Sequence, residues 1–303
     1  MRSSSGASFE PVAVLVERLA VLTGAGIPLL PAWRYATAQG APAAAARVAQ
    51  TESAHDLPDR LAELAADADP SERSAWAALA ATWRIATEAG AGLSTTLARS
   101  AEVLRGLAQG ARDVEVALTG PMATSRVVLA LPGVGLALGV LLGFDVVGAV
   151  FTVPGAMCVT AGGILIGVAV RWNRRLIGAA RDVDATPGLA FELLAVALAG
   201  GASFDRARRL VADACAESGL PQPGDEVDAV LGFARDAGVP VSVLLRSESD
   251  RRRRTARSLA ARRAAELETR LLLPLGLCVL PAFVLVGVAP IALAIVSSTG
   301  IGG

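Results

Sequence analysis

The side chains with the clearest chemical potential are charges set in apolar surroundings or crowded into runs. Glu17 and Glu192 stand on largely apolar helical stretches. A carboxylate there either meets a partner's cation or pairs with a nearby Arg. Glu88 and Asp236 each precede an Ala-Gly pair and are further candidates for partner contact. Arg251, Arg252, Arg253 and Arg254, with Arg257, Arg262 and Arg263, form the densest charge in the chain. Such a run suits anionic lipid, at about 1 kcal/mol per base near the surface, an acidic docking face on a partner protein, or a solvated helix face. No aromatic residues interleave with it, which weighs against nucleic acid. Asp145 is the only charge between Val127 and Val170. It either attracts a cation at the membrane edge or sits in a turn at the water interface; an acid truly inside the membrane would be costly and functional.

Covalent and metal chemistry find little support. The chain has one His, His55, with no second His to share a zinc site. Cys158, Cys215 and Cys278 form no Cys-x-x-Cys pair and too few to build a disulfide framework. All 28 basic residues are Arg, and without Lys no phosphate-binding loop can form. The expectation is a protein that is not an enzyme and holds no cofactor or metal.

The elements that carry these charges follow from composition. Of 303 residues, 53% are hydrophobic and 18% charged, with 28 basic residues balancing 28 acidic ones. A disordered chain needs the opposite composition, and a soluble nucleic-acid binder is usually basic. The apolar residues are concentrated. Residues 127–170 suit two spans, near 126–143 and 147–170, joined by a tight turn near 143–146, because one span needs about 20 residues. Residues 271–296 are uncharged and long enough for a third. The first apolar run, residues 12–16, is broken by Glu17 and Arg18 and is too short for a signal-peptide core. Arg171, Arg174, Arg175 and Arg181 follow the second span, and nine Arg from Arg246 to Arg270 precede the third. By the positive-inside rule the N-terminus is cytoplasmic and the C-terminus external. The neutral total hides a split: residues 1–125 hold 10 Arg and 13 acids, and residues 171–270 hold 17 Arg and 14 acids.

Both polar segments read as helical. Pro11–Leu22 has helical spacing and stops at Gly24-Ala25-Gly26. Pro28 suits the first turn of the next helix. Asp69, Pro70 and Glu72 predict a capped helix start, with a stop at Gly90. Ser94 and Ser203 are predicted N-caps, Pro187 opens a helix that stops at Gly200-Gly201, and Gly238 and Pro240 end another before a long helix from Ser242. The segments also match each other. Glu17, Gly26, Ala32 and Arg34 meet Glu192, Gly201, Ala207 and Arg209 at an offset of 175 residues. Gly90, Ser94 and Leu97 meet Gly238, Ser242 and Leu245 at an offset of 148. The difference is a 27-residue insertion, placed between Ala41 and Asp69. Each matched set ends in an Arg and a span.

The predicted fold is therefore all-α: an integral membrane protein with two repeated cytoplasmic helical domains, 1–125 and 171–269, and three transmembrane helices, two within 126–170 and one at 270–297, before an external tail at 298–303. On residues 194–203 (Leu-Ala-Val-Ala-Leu-Ala-Gly-Gly-Ala-Ser), 88–90, 120–126 (Gly-Pro-Met-Ala-Thr-Ser-Arg) and 271–283, the chain resembles the type II secretion system F family. It looks most like the Tad/Flp pilus assembly branch, with its TadB- and TadC-like proteins. Two repeats in one chain depart from the single cytoplasmic domain more usual in that branch. The resemblance implies a plasma-membrane platform that couples a hexameric secretion ATPase to pilin subunits drawn from the bilayer, working by protein contacts with another platform subunit or with itself and with membrane lipid. Asp145 would then face a positively charged pilin N-terminus. The rival expectation is a small oligomeric transporter or channel.

Overall fold

The computed structural model describes residues 5–38, 40–142, 148, 151–181, 184–289 and 292. Asp145, the turn predicted near 143–146 and the tail at 298–303 lie outside these. Among the described residues the chain is helical and contains no strand. It divides into two compact units, Met1–Glu115 with Asp184–Ser258, and Val116–Val183 with Leu259–Gly303.

The first unit draws on both polar stretches. From the first come α1 (Ser5–Gly24), α2 (Leu29–Ala38), α3 (Ala45–Ala49), α4 (Leu57–Asp67), α5 (Arg73–Ala89) and the start of α6 (Leu93–Leu141). After α7 (Val153–Arg181), the second stretch supplies α8 (Leu189–Ala199), α9 (Phe204–Ser218), α10 (Glu226–Ala237) and the start of α11 (Val241–Pro274). Helical spacing puts Phe9, Val12, Val16 and Leu19 of α1 on one buried face. Trp33, Trp76 and Trp83 are fully buried, and the rings of Trp33 and Trp83 pack at 5.8 Å. α8 is buried almost all round, through Phe191, Leu193, Leu194 and Val196. At about 1.5 Å per residue it is too short to cross a bilayer core of about 30 Å. It is the spine of a core shared by both stretches.

Local signals are met in part. Gly26, Gly90, Gly201 and Gly238 all take positive φ at helix ends, the left-handed closure that glycine makes without strain. At the first of them Ile27 N–H bonds Leu22 O across the turn. The Ser203 hydroxyl accepts from Arg206 N–H and caps α9. Three predicted starts shift. α1 begins at Ser5 and takes Pro11 into its body. α5 begins at Arg73, because the Asp69 carbonyl, not its side chain, accepts from Glu72 and Arg73 N–H. Glu72 instead accepts from the Trp76 indole at 3.2 Å. α6 begins at Leu93, where the Gly92 carbonyl takes the Thr96 N–H and the hydroxyls of Thr95 and Thr96, so Ser94 lies inside the helix.

Three helical runs are long and apolar enough to cross a membrane, Leu93–Leu141, Val153–Ala180 and Val241–Val288; the second unit holds the parts of them that follow Glu115 and Ser258. These mark the chain as a membrane protein. Their large side chains point outward, with Val134, Met157, Ile164, Leu277 and Leu280 all exposed. Inside, small residues let the helices approach. A Cβ on Gly162 would meet Val286, and one on Gly135 would come within 3.0 Å of Phe283. Ala169, Cys278 and Val279 form a small core. Beside it the buried Asn173 amide donates to Ser125 Oγ at 2.6 Å.

Of the prolines in the apolar runs, Pro132 lies within continuous α6 and Pro154 in the first turn of α7, where a missing N–H costs nothing. Pro274 and Pro281 bound or follow π-helical turns at Leu275–Val279 and Val284–Val288. There Leu280 N–H reaches back five residues to Leu275 O.

Candidate functional site

The charges picked out by sequence take three different places. Glu192 is 4% exposed. A carboxylate on the all-apolar helix α8 needs a cation, and Arg99 of α6 provides it through Nε at 3.0 Å and Nη2 at 3.2 Å. The same guanidinium reaches Glu102 at 2.9 Å and Asp250 of α11 at 3.4 Å. The bond to Glu192 foremost, against the cost of partial burial, holds Arg99 charged well beyond its ordinary range. Arg246 adds a second cation 3.8 Å from Glu192. One buried carboxylate thus ties α6, α8 and α11 together.

The Arg run is split by the helical period. Successive residues on a helix point about 100° apart, so four adjacent Arg cannot share a face. Arg253 turns inward, donates to Ser249 Oγ at 3.0 Å and pairs with Asp250. Arg252 lies over the Phe191 ring at 4.5 Å and reaches Glu226 and Glu248 at 3.0 Å each. Arg251 donates to Glu248 at 2.7 Å, which holds that carboxyl below the usual range. Only Arg254 points outward with no ion pair among the described residues. Arg257, one turn below Arg253, donates to Gly106 O and lies against Gly110, where a Cβ would come within 3.2 Å of its Nε.

Backbone fit supports this cluster. Ser249 Oγ donates to Gly188 O at 2.8 Å. Gly188 has φ +77°, and a Cβ there would lie 2.7 Å from Ser249 O. Glycine is required on both counts.

The remaining candidates stand apart. Glu17 pairs with Arg105 on α6. Glu88 pairs with Arg84 at 2.7 Å, and its carbonyl accepts from Arg206 at 3.2 Å. Asp236 is exposed near the end of α10, one turn after Phe233, which is 61% exposed. Asp145 lies outside the described residues. Sequence reasoning missed Arg99, Arg246, Ser249 and Asn173. The acid in the apolar run of α8 signals that a cation must exist, but nothing in the sequence points to one 93 residues away.

The surface offers recognition chemistry. An open groove of about 390 Å³ is lined by Arg99, Val243, Arg246, Ser247, Asp250 and Arg254. A second cleft of about 530 Å³ lies beside α3 and α4, where Arg47–Asp67 and Arg60–Glu63 neutralise each other. Among the described residues no group of three or more His, Cys, Asp or Glu could hold a metal. The Cys215 thiol is buried, which pushes its pKa up to about 11 and leaves it a poor nucleophile. No family model, curated protein or solved structure matches the chain.

Proposed function

We propose that the chain is an inner-membrane platform for a Tad or type IV-like pilus, or for a related secretion machine. It couples a cytoplasmic hexameric ATPase to pilin subunits in the bilayer by protein contacts, beside a second platform subunit or a copy of itself. In this reading the N-terminus is cytoplasmic, the C-terminus external, and the polar stretches are two copies of one helical unit.

The observation that carries the reading is the recurrence of helix ends at the two sequence offsets. α2 starts at Leu29 and α9 at Phe204, 175 residues later. α5 ends at Ala89 and α10 at Ala237, and α6 starts at Leu93 and α11 at Val241, 148 residues later in both cases. Two pairs of positive-φ glycines obey the same offsets, Gly26 with Gly201 and Gly90 with Gly238. In each copy the last helix passes from a charged half to an apolar half without a break, as Leu93–Leu141 and Val241–Val288. A continuous helix carries a push from its polar end to its apolar end, which suits a part that transmits work done elsewhere. The exposed Phe233, Asp236 and Arg254 are the side chains offered to the ATPase, whereas Glu192 and Arg253 are committed to internal pairs.

Deletion of the gene tests the role. Surface pili, or the secreted product, are expected to disappear and to return with the wild-type gene. Normal assembly in a strain with no second platform gene would overturn the proposal. The full-length double variant Phe233→Asp, Arg254→Glu should reach the membrane at normal level and fail to co-purify the ATPase.

A further inference from the structure

The membrane-spanning unit carries a ring of like charge at one level. The Asn173–Ser125 hydrogen bond fixes the register of α7 against α6. The contact of Ala169 with Cys278 and Val279 fixes it against the third run. α7 runs antiparallel to both, so Asn173 is level with Ser125 and with residues near Pro274. Four residues either way is about 6 Å at the helical rise. Within that slab lie residues 121–129, 169–177 and 270–278. Their only charged members are Arg126, Arg171, Arg174, Arg175 and Arg270.

These five come from all three helices, and every one has an exposed side chain. Only Arg270 has an ion pair among the described residues, with Glu266 at 3.1 Å. Trp172 sits among them, partly exposed, as aromatic residues do at a membrane interface. The depth is right for headgroups. From Arg126 to Leu141 is about 23 Å, and from Arg171 back to Val153 or Arg270 on to Val288 is about 27 Å. A hydrocarbon core is about 30 Å thick. The ring therefore falls where phosphates lie, and Glu266, at the edge of the slab, pairs with Arg270 alone among its members.

We propose that this arginine collar is a binding site for anionic phospholipid, taking the headgroup phosphates at the edge of the hydrocarbon layer. Guanidinium grips phosphate oxygens through two parallel N–H bonds. Arg171 and Arg175, one helical turn apart, flank Trp172, whose ring would lie against the glycerol region.

The test uses the full chain in nanodiscs of phosphatidylcholine and phosphatidylglycerol, with spin-labelled forms of each lipid. The wild-type protein should retain the labelled phosphatidylglycerol at least about fivefold more strongly than the phosphatidylcholine, from one or more bases near the surface. The preference should fall as salt rises. The variant with Gln at positions 126, 171, 174, 175 and 270 should lose it, and Arg47→Gln with Arg60→Gln should keep it. Equal retention of both lipids by the wild-type protein would overturn the proposal, and so would an unchanged preference in the five-fold variant. If that variant does not insert, the wild-type salt series and a phosphate arm decide. Loss of preference on adding inorganic phosphate, but not chloride at equal ionic strength, would assign the collar to free phosphate and overturn the lipid site.

Discussion

The two units solve the packing problem with opposite materials. The first buries three Trp, Phe9, Phe191 and a row of Leu and Val, and turns its charges outward or pairs them. The second turns its Leu, Val and Met outward and joins its helices through Gly135, Gly162, Ala169 and the Asn173–Ser125 bond. In water, burying a large apolar side chain is the main source of stability. In lipid that drive is absent, so close approach of small residues and interhelical hydrogen bonds take over. The same chain therefore has a unit whose stability rests on large residues inside and one in which large residues inside would be in the way.

Four perturbations sharpen or break this contrast. Trp83→Ala should have the largest effect, about 3–5 kcal/mol, as a large side chain leaves a filled core. Denaturant unfolding in micelles measures it, and the fluorescence of Trp172 in the second unit should stay unchanged under conditions where the first unit melts. Glu192→Ala should cost about 3 kcal/mol, because it leaves Arg99 and Arg246 facing an uncompensated site. Replacing Glu192 and Arg99 together by Leu should recover much of that loss, since a buried ion pair is often no better than apolar packing. A double-mutant cycle on the full chain reads both values. Asn173→Ala should cost only about 0.6 kcal/mol, the usual worth of a hydrogen bond between membrane helices, by steric-trap unfolding in bicelles. The last is a pH slope, which has no effect at neutral pH. The Cys215 thiol has a folded pKa near 11, against about 8.5 for a free thiol. The folded state then holds the proton more tightly, so stability is intact below pH about 8.5 and declines as pH rises towards 11. Cys215→Ala should remove that part of the alkaline slope.

Sequence legibility followed the reach of each signal. Gly90, Gly238 and Ser203 act on their own neighbours, and their helix ends fall where local chemistry places them. Asp69 and Ser94 carry equally good local signals and fail, because the Asp69 and Gly92 backbone carbonyls take the bonds the caps were expected to make. The apolar runs were legible because a span is a one-dimensional property of composition and length. The Glu192–Arg99 pair was not, because it joins residues 93 positions apart on helices brought together only by the fold. The Arg run looked like one surface as text, but the helical period sends Arg253 inward, Arg252 onto Phe191, and Arg251 and Arg254 outward. The collar was half legible: its Arg residues flank the spans in sequence, but their common level needed the contacts of Asn173 and Ala169.

Two surfaces of equal apolar exposure face different solvents. Tyr35 in the first unit is 62% exposed and Leu277 in the second is 64% exposed. A nitroxide spin label at each position, in a background without other Cys, reports collisions with oxygen, which concentrates in lipid, and with a water-soluble nickel chelate. In nanodiscs the label at position 277 should relax with oxygen and be shielded from nickel, and the label at position 35 should do the reverse. Equal nickel accessibility at both positions would contradict the account.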